Sequence, residues 1–182
     1  MKQEKVIPMI YDRVFKTVLQ RKESRGYLSM IISEITGLDE DVVYNNMVFK
    51  NTELMITQKN EKVKIKDLIV EIKDNVINLE MNKNMYNGLF NKNHAYISKI
   101  REGLVLQGQN YSNMKSVIQI NFDNFNAYND DRIVIKFEML DEKKGIKEGV
   151  DVISYHVILP NVKKIWLSKF LQVFFVNFLK KL

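Results

Sequence analysis

The sequence has no cysteine, two prolines, seven glycines and only two histidines, His94 and His156. The absence of cysteine excludes a disulfide scaffold, a cysteine-ligated zinc site and a thiol nucleophile. Two histidines are too few for a multi-histidine metal site. There is no GxxxxGK(S/T), GxGxxG or GxSxG motif, which argues against a glycine-rich phosphate loop and against a serine-hydrolase elbow. Acidic side chains therefore remain as the main candidates for chemistry.

Positive charge is in excess, and nearly all of it comes from lysine. The 182 residues carry a formal charge of +6, with 23 lysines against 5 arginines. The chain also has 19 asparagines and 20 isoleucines, and an AT-rich gene over-produces these residues together with lysine. No long basic run of the kind found in nucleic-acid-binding tails is present. The charge is thus compatible with a nucleic-acid partner but is weak evidence for one.

The chain is long enough for one domain with a sizeable core. Apolar residues spaced by three and four positions predict helices at 8–20, 24–36 and 84–106. Alternating and short apolar runs predict strands at 47–56, 63–72, 76–82, 115–122, 132–140 and 151–159. With a final apolar helix, the predicted order is ααβββαβββα, and this mixture indicates the α/β class.

The two ends of the chain show no targeting signal and no span. The N-terminus lacks an apolar core of the length that a signal peptide needs. In 165–179, eleven of fifteen residues are apolar, but Lys169 interrupts a run already shorter than the roughly 20 residues of a membrane span. We therefore predict a domain over 1–164 and a buried apolar helix over 165–182, in a cytoplasmic protein that does not associate with membranes.

One hairpin places acidic side chains together. A two-residue turn at Asp74-Asn75 would face Asp67 with Asn82 and set Asp67 diagonal to Glu80, about 7–8 Å away between Cα atoms. The other face of this hairpin is entirely apolar and is predicted to be core. Two carboxylates that converge in this way suit Mg²⁺, which prefers oxygen ligands. The spacing alone leaves open an ordinary hairpin with a polar outer face, which is the more common arrangement.

Four segments resemble a known family. They are YDRVFKTVL near the start, KDLIVEIKDNVINLEMN in the hairpin, AYISKIREGLVLQGQNYSNMKSVIQINFDNF in the middle and HVILPNVKK near the end. Together, over 8–164, they resemble the PD-(D/E)XK nuclease superfamily. More narrowly, they resemble the PD-(D/E)XK family transposases, also described as Rpn-type recombination-promoting nucleases.

The resemblance implies a restriction-endonuclease-like core, with a mixed central sheet flanked by helices, and a set of site residues. Asp67 and Glu80 match the metal-binding carboxylates, and the carbonyl of Met81 matches a third metal ligand. Asn82 stands where this family usually has Gln and the wider superfamily has Lys. Asp12 matches an acid of the first helix that can reach the site. Asn82 is one methylene shorter than Gln and cannot donate a proton as lysine does, although it can orient a water molecule.

The activity that the resemblance implies is metal-dependent hydrolysis of DNA phosphodiester bonds, with Mg²⁺ or Mn²⁺ and low sequence specificity, linked to a mobile element or to recombination. Four lysines are candidates for the phosphate path, namely Lys16, Lys64, Lys66 and Lys83. The replacement at Asn82 leaves open a weak or inactive DNA-binding remnant. Family members commonly continue beyond this C-terminus, so a truncated copy is also left open, as are a homodimer and a protein-interaction module that uses the last helix.

Overall fold

A computed structural model describes residues 8–50, 68–104, 110–148 and 152–164. Within these ranges the helices are α1 Asp12–Leu19, α2 Arg25–Thr36, α3 Glu40–Asn46, α4 Leu89–Leu104 and α5 Leu159–Lys164, with short 3-10 turns at Lys22–Ser24 and Tyr111–Asn113. The strands are β1 Val48–Phe49, β2 Leu68–Ile72, β3 Asn75–Asn82, β4 Ser116–Asp123, β5 Val134–Glu138 and β6 Val152–Ile158. The predicted helix over 165–182 and the first part of the predicted hairpin lie outside the described residues.

The six strands form one mixed sheet in the order β1-β2-β3-β4-β6-β5. β1, β2 and β3 are antiparallel, β3, β4 and β6 are parallel, and β5 runs antiparallel to β6 at the edge. The carboxyl ends of the three parallel strands therefore meet at one edge of the sheet, which is where open α/β sheets place their ligands. The prediction of an α/β protein with a mixed central sheet and flanking helices is confirmed.

A seven-residue helix, α3, is missing from the predicted order. α2 ends at Gly37, whose φ of 77° lies in the left-handed region that favours glycine. Asp39 then caps α3, because its side chain accepts a hydrogen bond from the backbone N–H of Val42 at 2.8 Å. The N-cap Asp with acidic residues in the first turn is the signal that could have predicted this helix.

One face of the sheet packs against α1, α2 and α3. The ring of Phe15 on α1 lies 5.2 Å from the ring of Phe122 on β4, measured between centroids. The predicted apolar face of the hairpin lies in this core and is buried throughout, at Leu68, Val70, Ile72, Ile77, Leu79 and Met81. Burial of this face is confirmed and fixes which side of β2 and β3 faces α4.

The other face of the sheet packs against α4, but only partly through apolar contacts. Ile97 and Ile100 of α4 lie over Ile69, Val76 and Val117, near the amino ends of β3 and β4. Towards the carboxyl ends of the strands this face is polar. Of the helices that the structure describes, none has the length and apolar character needed to cross a bilayer.

The register of the hairpin differs from the prediction by two residues. Ile72 pairs with Asn75, so the turn residues are Lys73 and Asp74 rather than Asp74 and Asn75. The reason is β4, because its ladder with β3 begins at Asn75 and the N–H of Ser116 donates to the carbonyl of Asp74 at 2.8 Å. This parallel pairing draws Asn75 into the strand.

The shift changes the described pairs of the hairpin, since Leu68 faces Leu79 rather than Met81. The predicted facing of Asp67 with Asn82 lies outside the described residues. Because the shift is even, the described side chains of β2 and β3 stay on their predicted faces, as the period of a strand is two.

Glu71 of β2 pairs with one lysine just after β1 and one just before β4. Its carboxylate accepts a hydrogen bond from Lys115 at 2.8 Å and pairs with Lys50 at 2.6 Å. The hydrogen bonds from Lys115 and Lys50 hold the pKa of Glu71 below its ordinary value. A depressed carboxyl pKa adds stability that is present above the unfolded pKa and is lost as the pH falls through the folded pKa.

We therefore expect Glu71→Gln to lower the free energy of unfolding by about 1 kcal/mol at neutral pH, as expected for a partly exposed charge pair. The difference from the wild type should shrink as the pH falls below the ordinary pKa of glutamate. Urea unfolding of both proteins over a series of acidic pH values measures this. A difference that stays constant on acidification would show that the charge of Glu71 contributes nothing.

Candidate functional site at the carboxyl edge of the parallel strands

A row of buried polar side chains crosses the sheet beneath the first half of α4. The strand residues of this row share one face, because alternate positions of β3, β4 and β6 are aligned by the parallel ladders. Most of the buried polar residues in the described parts of the chain lie in this row or on α4 above it, namely Asn78, Glu80, Asn82, Asn93, Gln119, Asn121, Asp123 and His156.

Glu80 lies at the centre of the charged part of this row. Its side chain is 7% exposed. Lys92 of α4 donates a hydrogen bond from Nζ to Oε1 of Glu80 at 2.6 Å, and Nζ of Lys16 on α1 lies 3.7 Å from Oε2. A buried carboxylate is expensive unless it is paired, and here two ammonium groups from two helices pair with it.

Lys92 is held in its charged form. Burial alone would lower the pKa of Lys92, but the hydrogen bond and the negative charge of Glu80 outweigh burial, and the pKa is raised. The ammonium also lies 5.2 Å from the ring centroid of Tyr96, a cation–π distance. Lys92 is therefore a fixed cation at the site and not a proton acceptor.

α1 brings Asp12 towards the same place through Lys16. Nζ of Lys16 lies 2.7 and 2.8 Å from the two carboxylate oxygens of Asp12, one turn earlier on the helix. The side chain of Lys16 is 12% exposed. The structure thus places the predicted Asp12 and Lys16 beside Glu80, with Lys16 between the two carboxylates.

Asn82, Asp123 and His156 form a second buried group, near the carboxyl ends of β3, β4 and β6. Nδ2 of Asn82 donates to Oδ1 of Asp123 at 2.8 Å, and Nδ1 of His156 lies 2.7 Å from Oδ2 of the same carboxylate. A carboxylate only accepts hydrogen bonds, so Nδ1 of His156 carries the proton. The side chain of Asp123 is 1% exposed, and both of its oxygens are occupied.

A directed chain of side-chain amides continues the row towards the amino ends of β3 and β4. Asn121 donates to the backbone carbonyl of Tyr155 at 3.3 Å, which fixes its amide orientation. Its Oδ1 accepts from Gln119 at 3.1 Å, and Oε1 of Gln119 accepts from Asn78 at 2.8 Å. The network is thereby organised in one direction across the sheet.

The ring of His156 is surrounded by aromatic rings. The centroids of Phe90, Tyr128 and Phe137 lie 5.8, 5.3 and 5.5 Å from that of His156, each in an edge-to-face arrangement. Burial and the negative charge of Asp123 hold the pKa of Tyr128 well above its ordinary range. The imidazole is therefore locked in place by packing as well as by hydrogen bonds.

The remaining predicted site residues have different outcomes. The side chain of Met81 points to the apolar core on the opposite face, which leaves only its backbone available for a site. Lys83 is exposed, and its Nζ lies 4.2 Å from the ring centroid of Tyr11. Three predicted residues lie outside the described ranges, namely Lys64, Lys66 and Asp67.

Three residues of the site are absent from the sequence-based prediction: Lys92, Asp123 and His156. Asp123 could have been found, because QINFD at 119–123 repeats the polar alternation of NLEMN at 78–82. His156 lies on a third strand, in register with Asn121 and two residues before the position that faces Asp123. No sequence signal marks Lys92, since its distance from Glu80 depends on how α4 packs over β3.

The donors at this site suit a hard divalent cation only in part. Within the described ranges, no group of three His, Asp or Glu side chains is arranged to hold a metal ion. The carboxylate of Glu80, the amide oxygen of Asn82 and the carbonyl of Met81 are oxygen donors of the type that Mg²⁺ takes. These residues fit a magnesium site if a further carboxylate joins them.

Comparison with known proteins gives one result. The sequence profile of the family described as PD-(D/E)XK nuclease family transposase matches residues 9–182 of the chain. No curated protein and no solved structure matches.

Proposed function

The chain belongs to the PD-(D/E)XK nuclease family transposases, nucleases linked to mobile elements, and from this premise we propose that it is a metal-dependent DNA endonuclease of low sequence specificity. The observation that carries the proposal is the buried Glu80 at the carboxyl edge of the parallel strands. Asn82 follows Glu80 by two positions on the same face of β3, and the carboxylate of Glu80 pairs with Lys92 and Lys16. Buried, charge-paired carboxylates of this kind concentrate at functional sites.

We assign the metal ligands to Glu80, Asp67 and the carbonyl of Met81. Asp67 is the residue before Leu68, and Leu68 pairs with Leu79. Leu79 is the residue before Glu80, so the described end of β2 lies beside the strand that carries Glu80. When bound, Mg²⁺ or Mn²⁺ would supply positive charge to the phosphate in the transition state.

We assign the remaining roles in hydrolysis to side chains around the carboxylates. In the hydrolysis, a water molecule attacks phosphorus, the P–O bond opposite it breaks, the water loses a proton and the leaving oxygen gains one. Asn82 offers an amide oxygen that can orient this water. Lys92 supplies the ammonium that lysine supplies at the position of Asn82 in the wider superfamily, because it reaches the same carboxylate from α4.

We assign DNA binding to Lys16, Lys64, Lys66 and Lys83. Contacts from lysine to phosphate are independent of sequence and release counterions, so binding should weaken steeply with salt. The exposed Lys83 is the clearest candidate of the described lysines, since Lys16 is already paired with Asp12 and Glu80. Because contacts to phosphate do not read the bases, low sequence specificity follows.

The role of Lys92 predicts a large effect of one substitution. Lys92→Met keeps the apolar stem and removes the ammonium, and we expect the rate of plasmid nicking to fall about 100-fold, as for loss of one electrostatic donor. Lys92→Arg should retain part of the activity. Lys99→Met removes the same charge from the same helix and serves as the control, with wild-type nicking. Equal rates for Lys92→Met and the wild type would remove Lys92 from the mechanism.

The direct test of the proposal is conversion of supercoiled plasmid to the nicked form by the full chain. Nicking should require Mg²⁺ or Mn²⁺, stop with EDTA and show little preference between unrelated plasmids. No nicking under either metal, over a range of pH and salt, would contradict the proposal.

A second candidate is a DNA-binding protein without cleavage. It is favoured by the two ammonium groups already paired with Glu80, since they balance the carboxylate without a divalent cation. Salt-dependent binding of plasmid DNA with no nicking in the same assay would identify it.

A further inference from the structure

We propose that Asp123 and His156 are positioning residues, which hold the amide of Asn82 in the one orientation that turns its oxygen away from β4, towards the β2 side of β3. The proposed function supplies the catalytic consequence of this arrangement. The orientation itself depends only on the hydrogen bonds and is tested separately.

The orientation of Asn82 follows from what a carboxylate can do. Asp123 faces Asn82 across the ladder of β3 and β4, with 2.8 Å between Nδ2 and Oδ1. Because a carboxylate accepts and an amide oxygen also accepts, only the NH₂ group of Asn82 can face Asp123. β3 lies between β2 and β4, so an amide that donates towards β4 turns Oδ1 towards the side of β2.

His156 keeps Asp123 from moving. It occupies the second oxygen of Asp123 through Nδ1, while Nε2 lies 3.3 Å from Oγ of Ser154 and 3.4 Å from Nδ2 of Asn121. With the three aromatic rings around it, the imidazole has no space to rotate away. Asp123 therefore presents one fixed acceptor to Asn82.

This arrangement selects one of the two orientations that the amide of Asn82 can adopt. A free amide samples two flipped orientations of similar energy, and only one of them presents an oxygen to the site. A charge-assisted hydrogen bond favours the donating orientation by about 10- to 100-fold. Asp123 and His156 thus hold the side-chain amide of Asn82 in the orientation in which its oxygen can act as a donor at the site.

The test exchanges donor and acceptor between the two strands. In Asp123→Asn, the single oxygen of the new amide has two donors competing for it, Asn82 and His156. We expect the nicking rate at saturating DNA to fall about 10- to 100-fold, with the Kd for DNA changed less than about threefold. In the double variant N82D/D123N, the amide at 123 can donate to the carboxylate at 82 and accept from His156. An oxygen again faces the site, and nicking should return to within about fivefold of the wild type.

A second readout does not depend on nuclease activity. In the full chain labelled with ¹⁵N-asparagine, the side-chain NH₂ protons of Asn82 should exchange slowly with solvent. They should lose this protection in Asp123→Asn, and protected protons should appear at the asparagine of position 123 in N82D/D123N. Asp39→Asn is the matched control, because asparagine caps α3 as well as aspartate does and no change at Asn82 is expected.

The two readouts separate the inference from the proposed function. Loss of protection in Asp123→Asn with no nicking by the wild type would support the positioning and contradict the nuclease. Retained protection in Asp123→Asn, or nicking by it at the wild-type rate, would overturn the positioning while leaving the nuclease intact. Should Asp123→Asn not fold, the double variant decides, since a folded N82D/D123N without protected protons at position 123 also overturns it.

Discussion

Replacement of Glu80 by glutamine is expected to reduce plasmid nicking about 10³-fold, because it removes one of the two carboxylates assigned to the metal. The change keeps the size of the side chain, and Oε1 can still accept the 2.6 Å hydrogen bond from Lys92. The fold should therefore survive while the charge is lost. The measurement is the single-turnover rate of nicking at saturating Mn²⁺.

The matched control for this substitution is Glu71→Gln. Glu71 lies on the same face as Glu80 but pairs with Lys50 and Lys115, towards the other end of β3. The Glu71→Gln variant should nick plasmid at the wild-type rate despite its modest loss of stability. Equal loss of activity in both variants would mean that nicking reports stability rather than the chemistry of Glu80.

Replacement of Phe122 by alanine is expected to lower the free energy of unfolding by about 3–5 kcal/mol. Phe122 is 4% exposed on the central strand β4, and its ring contacts that of Phe15 on α1. Removing it leaves a cavity between the sheet and the helix that carries Asp12 and Lys16. Chemical unfolding measures the loss, and nicking should fall as well if α1 shifts.

Tyr111→Ala is the control for an aromatic side chain outside the core. Tyr111 is 76% exposed, so its removal should change the free energy of unfolding by less than about 0.5 kcal/mol. A loss at Phe122 no larger than the loss at Tyr111 would contradict the assignment of Phe122 to the core that joins α1 to the sheet.

The sequence predicts the faces of the hairpin better than its register. Alternation alone assigns Leu79 and Met81 to the core and Glu80 and Asn82 to the other side, because side chains in a strand alternate with a period of two. The register depends on the turn, and here the turn depends on β4, which recruits Asn75 through a ladder about forty residues away in the chain. Local turn chemistry does not contain that information.

The residues of the candidate site also differ in how far the sequence predicts them. Glu80 and Asn82 are found because they follow each other in one strand and match a family pattern. Asp123 and His156 join them only when three strands are aligned in parallel, and Lys92 joins them only when α4 is packed on the sheet. A single sequence predicts which strands form but not which of their polar residues become neighbours.

The most direct test of the central claim, that Glu80 and Asp67 act together at one hydrolytic site, is a double-mutant cycle. The single-turnover nicking rate is measured for the wild type, Glu80→Gln, Asp67→Asn and the double variant. If the two carboxylates hold one metal, each single change should cost about 10³-fold and the double variant should be hardly slower than either. Wild-type nicking by Asp67→Asn, or losses that multiply in the double variant, would contradict a shared site.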